Sequence, residues 1–375
     1  MASTISCPIS KWIPAPSSKE RLDYIQLVNL DLSRFDDLEG RQELARDFYK
    51  AFTEEGFLTL SGHGISEEVW AQQMDLAYTT MTLPPEEKAL YEVTPEEDKQ
   101  GIYAGFKEAG GKGFHREIDF YNMLLNGSKE RIHPPHLNPY MEETRKVMLH
   151  VRDDIQRKLL ILLAMCLEMP EEELLATHKP GLSSSEYYRY MSYSPLSEEA
   201  TIKSRGLFMP GHADWGTFSI LFSQPVCALQ VLDKTGVFKW VEYIPNVMIV
   251  NIGQCLELLT GGLFRATIHR VVTPPQDQKK ELRVGIFYFS RPNDDLLIEP
   301  LRNSPVLRRL GFDKPLDPNI TYTATGFLEA KKNGYLKPDF DFDRPRDAKL
   351  HSDPFREGDS FSVLAKPLVA VPGIS

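Results

Sequence analysis

The sequence predicts an α+β protein, with a β core of the sandwich or jelly-roll type and an N-terminal helical region packed against it. Two textures predict this. Up to about residue 180, apolar residues recur at helical spacing over long segments. From Glu186 onward they fall into short runs rich in Val, Ile, Phe and Tyr, separated by Gly, Pro or Asn. No Ser/Gly-rich linker divides the two halves, so they are expected to share one core.

Taken in order, residues 1–23 form a Pro-rich lead, and Tyr24 to Leu32 alternates well enough for a strand. Leu38 to Glu55 has the spacing of an amphipathic helix ended by Gly56, and Phe57 to Leu60 is a second short strand. Residues 101–114 hold five glycines and are expected to form a loop. A phosphate loop is excluded there, because Lys112 precedes Gly113 and Phe106 stands where the first glycine of GxxxxGK belongs. Asn138-Pro139 is a cap and first-turn pair for a long helix reaching about Leu167, with Met148, Val151, Ile155, Leu159 and Leu162 on one face. The expected strands of the second half are 186–193, 217–223, 228–232, 237–243, 247–252, 264–272 and 282–290. The organisation is therefore a lead (1–23), an N-terminal, mainly helical region (24–180), a β core (181–335) and a charged tail (336–375).

Composition narrows the function. Apolar residues make up 42 % of the 375, enough for a large core, and the net charge is −10. An acidic chain without a Lys/Arg cluster is not a general nucleic-acid binder, since that affinity rests on phosphate neutralisation. The longest apolar run, Leu159 to Leu167, is nine residues, too short for a bilayer, so no membrane partner is expected. The lead has no apolar stretch of the secretory kind, and a cytoplasmic location is expected. Cys7, Cys166, Cys227 and Cys255 are widely spaced without a CxxC pair, which favours reduced, buried thiols.

The pattern His-x-Asp/Glu occurs at His115, His212 and His351, and chance alone supplies one or two such pairs from nine histidines. Context separates them. Residues two apart on a strand point the same way, so only His212 and Asp214, which have expected strands on both sides, are placed to share a metal. His269 follows 55 residues after Asp214 within another expected strand. Two imidazoles and one carboxylate form the facial triad that holds non-haem Fe(II) and leaves three positions open. Zinc is the competing metal, though its sites more often use tetrahedral His and Cys sets. Arg283 lies in the apolar strand 282–289, where a buried cation calls for an anion such as the carboxylate of a small molecule. His63, between Gly62 and Gly64, is expected to serve a turn, and Gly181 to Ser185 lacks the GxSxG elbow of serine hydrolases.

Longer motifs carry a resemblance. The run Pro210-Gly-His-Ala-Asp-Trp-Gly-Thr-Phe-Ser-Ile-Leu221, with Ala228 to Val231, Val250-Asn-Ile-Gly253, Thr267-Ile-His-Arg-Val271 and Arg283-Val-Gly-Ile-Phe287, resembles the C-terminal region of Fe(II)/2-oxoglutarate oxygenases of the isopenicillin N synthase-like family. Glu55 to Ile65 resembles that family's N-terminal helix-strand-turn signature. The resemblance implies a double-stranded β-helix. It also implies Fe(II) on His212, Asp214 and His269, 2-oxoglutarate as cosubstrate with its far carboxylate on Arg283 and Tyr193, and O2 as oxidant. The implied activity is ferryl hydrogen abstraction from a small organic molecule in specialised metabolism. Asp214 in place of Ala or Gly disfavours a halogenase. The family's Arg-x-Ser is Arg283-Val284-Gly285 here, its Asn-Tyr-Tyr is Met191-Ser192-Tyr193, and Gln254 and Gly62 stand where Asp and Asn are usual. The missing serine leaves a 2-oxoglutarate-independent iron oxidase as an alternative, beside a non-catalytic binding module on the same fold.

Overall fold

The computed structural model describes residues 8–99, 104–107, 117–125, 131–183, 185–315 and 322–335. Among these, strands β1 (Val28–Asp31), β2 (Phe57–Ser61), β3 (Gly105–Lys107), β4 (Ile118–Leu124) and β5 (Tyr187–Tyr193) precede β6 (Leu207–His212) and β7 (Phe218–Phe222). Then come β8 (Leu229–Leu232), β9 (Phe238–Trp240), β10 (Met248–Ile252), β11 (His269–Val272) and β12 (Arg283–Phe289). They build an eight-stranded sheet in the order β1-β2-β10-β7-β12-β5-β4-β3 and a four-stranded sheet in the order β6-β11-β8-β9. The sheets pack face to face. Ile118, Phe120, Met191 and Tyr193 of the large sheet share an apolar cluster with Phe208 and Val271 of the small one. This is the double-stranded β-helix architecture, with helices against the outer face of the large sheet.

Alternation along β5 sorts side chains between these two environments. Tyr188 and Tyr190 point to the helical layer, where their hydroxyls donate to Gln73 Oε1 at 3.4 and 3.2 Å. Met191 and Tyr193 point between the sheets. The helical layer begins with α1 (Leu38–Glu54), capped by the Asp37 side chain accepting from the Gly40 amide. Its buried face sets Phe48 edge-on against Phe52, Phe264 and Phe218 of β7 at centroid distances of 4.6, 6.0 and 6.5 Å. Each such ring pair adds about 0.5–1.5 kcal/mol beyond its buried area. Helix α2 (Glu67–Met81), capped by Ser66, brings Gln73 to the two tyrosines.

Several expectations need correcting. The region 24–180 supplies four strands to the large sheet, two of which, β3 and β4, have no counterpart among the expected strands. Gly105 to Lys107, inside the expected glycine loop, pairs with β4, while 101–103 and 108–114 lie outside the described residues. The strand β6, which carries His212, contains Pro210 and Gly211 and so has no β signal in its sequence. The long helix reaches Leu167 as expected, but it runs as Met141–His150, a π segment Val151–Gln156 and Arg157–Leu167, and Asn138-Pro139 lie in a 3-10 turn before it, with no side-chain cap. Periodicity does not register one wide turn, because apolar residues continue on both sides of it. The tail 336–375, with His351 and Asp353, and the residue His115 lie outside the described residues. No helix among the described residues is long and apolar enough to cross a membrane. Cys166, Cys227 and Cys255 are buried free thiols.

Candidate metal centre

Strand register places the two histidines opposite each other: His269 of β11 pairs with His212 of β6. Their ring centroids are 4.3 Å apart. Each ring is turned by a backbone carbonyl two residues earlier, His212 Nδ1 by Pro210 O at 2.9 Å and His269 Nδ1 by Thr267 O at 3.2 Å. A carbonyl only accepts, so Nδ1 carries the proton in both rings and Nε2 keeps its lone pair. Both Nε2 atoms face one oxygen, Asp214 Oδ1, at 3.7 Å from His212 and 3.8 Å from His269. The three ligand atoms lie within 4.8 Å of one another. Phe57 of β2 closes one side, edge-on to the His269 ring at 5.3 Å.

The other oxygen of Asp214 is held by the large sheet. Oδ2 accepts from Ser219 Oγ at 2.5 Å and from Asn251 Nδ2 at 2.8 Å. Ser219 and Asn251 are register partners on β7 and β10. Burial alone would push this carboxyl up, but His269 and His212, in the charged form they take in acid, and the two donors outweigh it and hold the group at about 2, so Asp214 is an anion at neutral pH. The loop that carries Asp214 is pinned where the chain returns: Gln254 N donates to Asp214 O at 2.8 Å and Gly253 N to Thr217 O at 2.9 Å. A Cβ on Gly253 would run into the carbonyl oxygen of Gly216, so only glycine allows this approach.

This donor set fits a hard-to-borderline divalent metal. Two neutral imidazoles and one carboxylate converge from one side, no cysteine stands among them, and the remaining positions are left to exogenous ligands. The combination favours iron over structural zinc, which prefers a closed tetrahedron.

Arg283 opens β12 on the same inner face. It is 2 % exposed, its Nε and Nη1 have no hydrogen-bond partner, and its guanidinium lies 4.7 Å over the Tyr193 ring. Register pairs the two residues directly. Burial draws the guanidinium below its ordinary value and pushes the Tyr193 hydroxyl up, opposed in each case by the partner. Two N–H groups buried without acceptors are costly to a folded chain, about 1–3 kcal/mol each, unless something arrives to accept from them. A cavity bounded by Leu221, Cys227, Leu229, Val241 and Ile249 reaches Arg283.

All five residues singled out by sequence are therefore brought to one inter-sheet space. Sequence does not single out Ser219 and Asn251, although a polar residue inside each of the apolar runs Phe218–Phe222 and Met248–Ile252 is the available sign. His63 is remote from this space; its Nε2 meets Asn246 O at 3.0 Å, between glycines with φ of 62° and 79°, as expected of a turn residue.

Comparison with known proteins agrees with this geometry. Residues 186–292 match the model of the 2OG-Fe(II) oxygenase superfamily, and residues 29–140 match that of the N-terminal region of non-haem dioxygenases in morphine synthesis. Among curated proteins, homoarginine-6-hydroxylase 2-ODD-233 of Oryza sativa subsp. japonica is 27 % identical over 270 residues, covering 67 % of this chain and 78 % of its own. Mugineic-acid 3-dioxygenase of Hordeum vulgare is 25 % identical, covering 79 % and 82 %. The solved structure of a full-length Neurospora crassa protein in complex with alpha-KG and thymine superposes with a TM-score of 0.71 at 18 % identity, covering 82 % of this chain and 96 % of that one.

Proposed function

Because the chain belongs to the Fe(II)/2-oxoglutarate dioxygenases of the isopenicillin N synthase-like superfamily, we propose that His212, Asp214 and His269 hold its Fe(II) and that Arg283 and Tyr193 receive the far carboxylate of 2-oxoglutarate. The protein is an oxidoreductase. When bound, the metal and cosubstrate supply the oxidation of a substrate C–H bond by O2, with 2-oxoglutarate leaving as succinate and CO2. The chain's own contribution is positioning. Pro210 O and Thr267 O aim the two Nε2 lone pairs, and Ser219 and Asn251 hold Asp214 so that Oδ1 faces them. The apolar walls Phe57, Leu221, Val231 and Ile249 keep the space dry. We place the substrate among small organic molecules of specialised metabolism, in keeping with the hydroxylase and dioxygenase names of the relatives, and the protein in the cytoplasm.

The observation that carries this reading is the pairing of a three-ligand centre with a sealed arginine whose Nε and Nη1 lack acceptors. The second reading, an oxidase that works without 2-oxoglutarate, is favoured by Gly285, which removes the serine hydroxyl beside Arg283. It leaves the two unpartnered nitrogens unexplained. Anaerobic titration should give one Fe(II) per chain. In air, the iron-loaded protein should release succinate slowly from 2-oxoglutarate without any substrate, and Arg283→Ala should abolish that release. Iron binding with no succinate under any condition, substrate included, overturns the 2-oxoglutarate reading; no iron binding overturns both.

A further inference from the structure

The inner face of the large sheet carries a second arginine that neither the metal centre nor the cosubstrate accounts for. Arg189 lies on β5 four residues before Tyr193, on the same side of the strand as Met191 and Tyr193, about 13 Å from Tyr193 along the chain. Its guanidinium is walled by three rings, Phe120 at 4.1 Å, Tyr187 at 4.9 Å and Phe289 at 5.1 Å. Nε donates to Asn122 Oδ1 at 2.7 Å, and Asn122 is its register partner on β4. The side chain is thus fixed in plane by stacking and in rotation by one hydrogen bond.

The free end of the fork is what needs an explanation. No Asp or Glu among the described residues forms an ion pair with Arg189, and Asn122 is its hydrogen-bond partner through Nε alone. The acid whose charge reaches it is Asp214, and both oxygens of that carboxylate are engaged by the triad and by Ser219 and Asn251. Arg291 adds a second positive field rather than a negative one. Arg189 remains partly exposed although it faces inward, so the space before it is open. Its position is tied to the metal centre by register. Tyr187 and Phe289, two of its walls, share a row across the sheet with Ser219 and Asn251, which hold Asp214.

A planar cation held on rings on the inner face of the sheet, partly exposed and with a hydrogen-bond partner at Nε alone, has the form of a carboxylate receptor. We propose that Arg189 anchors a carboxylate on the primary substrate, so that the enzyme oxidises an organic acid whose apolar body lies along Phe120, Phe287 and Phe289. The inference deepens the dioxygenase reading and rests on it. It makes Arg189 a specificity residue separate from Arg283, with one guanidinium for the cosubstrate and one for the substrate.

The test uses the full chain loaded with Fe(II) and saturating 2-oxoglutarate under argon, so that Arg283 is occupied and no turnover occurs. Arylacetates and medium-chain alkanoates are titrated calorimetrically, each beside its primary amide. The wild type should bind acids about ten- to hundredfold tighter than their amides, the worth of a charge-assisted hydrogen-bond pair. Arg189→Gln should remove that preference, and Arg189→Lys, which keeps the charge without the fork, should retain part of it and covers the case in which the glutamine variant fails to fold. Amides bound as tightly as acids, a preference surviving in Arg189→Gln, or no acid bound at all would each overturn the proposal. Succinate release by the wild type in air, run alongside with and without the acids, keeps the two readings apart: its absence in every arm sinks the 2-oxoglutarate reading, whereas its presence without acid preference sinks only the role of Arg189.

Discussion

In the four-stranded sheet His212 and His269 are aimed by carbonyls two residues back in their own strands, whereas in the eight-stranded sheet Asp214's donors, Arg283 and Arg189 are aimed by partners on other strands. The first kind of aiming is local and survives as long as the strand does. The second depends on register, so a one-residue slip of β7, β10 or β12 would turn that strand's contribution, Ser219, Asn251 or Arg283, to the wrong face. The small sheet therefore supplies the two imidazole ligands, and the large sheet supplies the buried cations and the grip on Asp214.

The sharpest way to break this division is at the residue that joins the two sheets. Asp214→Ala removes a ligand and frees Ser219 and Asn251 at once. Fe(II) affinity should fall by more than about 100-fold, beyond the 10- to 100-fold usual for losing a supporting hydrogen bond. Equilibrium dialysis of iron against the wild type is the measurement, and retention within tenfold would mean that the histidines alone define the site. Asn251→Ala asks the narrower question of whether the large sheet's grip matters. The ligands stay, Oδ2 loses its 2.8 Å donor, and iron affinity or succinate release should drop about 10- to 100-fold. An unchanged value would show that Ser219 suffices.

The same contrast explains what can be read without the fold. His212 and Asp214 sit two apart between expected strands, which marks the pair, although β6 ends at His212 and Asp214 is turned to it by the loop beyond; His269 and Arg283 follow in expected strands at distances a resemblance can match. Arg189 and Asn122 carry no local pattern, and Ser219 and Asn251 show only as polar residues within apolar runs, since their roles come from which strand lies beside which. The β6 strand is hidden because its sequence, Leu-Phe-Met-Pro-Gly-His, contains the two residues that ordinarily end strands. The jelly-roll core is legible from the spacing of short apolar runs, but the union of β1 to β4 with it is not, because the joins that make it, β2 with β10 and β4 with β5, pair residues far apart in sequence and leave no periodic trace.

On the outer face of β12 the large sheet buries a carboxyl instead of a cation. The Tyr288 hydroxyl donates to Gln156 Oε1 at 2.8 Å and is also paired with Glu186. Both acceptors draw on the same hydroxyl proton, so Tyr288 satisfies the Glu186 carboxyl only in part. Burial raises this carboxyl to about 7, with Tyr288 and Arg152 opposing and Asp153 adding to the rise. Between about pH 4.5 and 7 the unfolded chain has lost this proton and the folded chain has kept it, so the group costs stability progressively as pH rises through that window. His136 and His178, held at about 4 and about 3 by burial, slope the other way over part of the same range. The readout is therefore the difference between wild type and Glu186→Gln. The variant, whose amide oxygen can still accept from Tyr288, should match the wild type at about pH 4.5 and exceed it at about pH 7.5 by something on the order of 3 kcal/mol. Parallel melting curves across the window would rule out a buried, protonated Glu186.

The smallest expected effect tests why Gly285 stands beside Arg283. A Cβ there would lie 2.9 Å from Cε2 of Phe287 and 3.6 Å from Cδ1 of Leu221, so the ring of Phe287 fills the place of a side chain. That ring stacks on Phe289 at 5.9 Å, and Phe289 in turn walls Arg189. A serine would add one neutral hydrogen bond for the cosubstrate, about 0.5–1.5 kcal/mol, and would crowd Phe287 by an amount of similar size, about 1–3 kcal/mol. The two offset, so Gly285→Ser should leave the KM for 2-oxoglutarate within about threefold while lowering the melting temperature by a few degrees. A KM lowered tenfold would mean that Phe287 yields freely, and that the aromatic wall between the two arginines is softer than its packing implies.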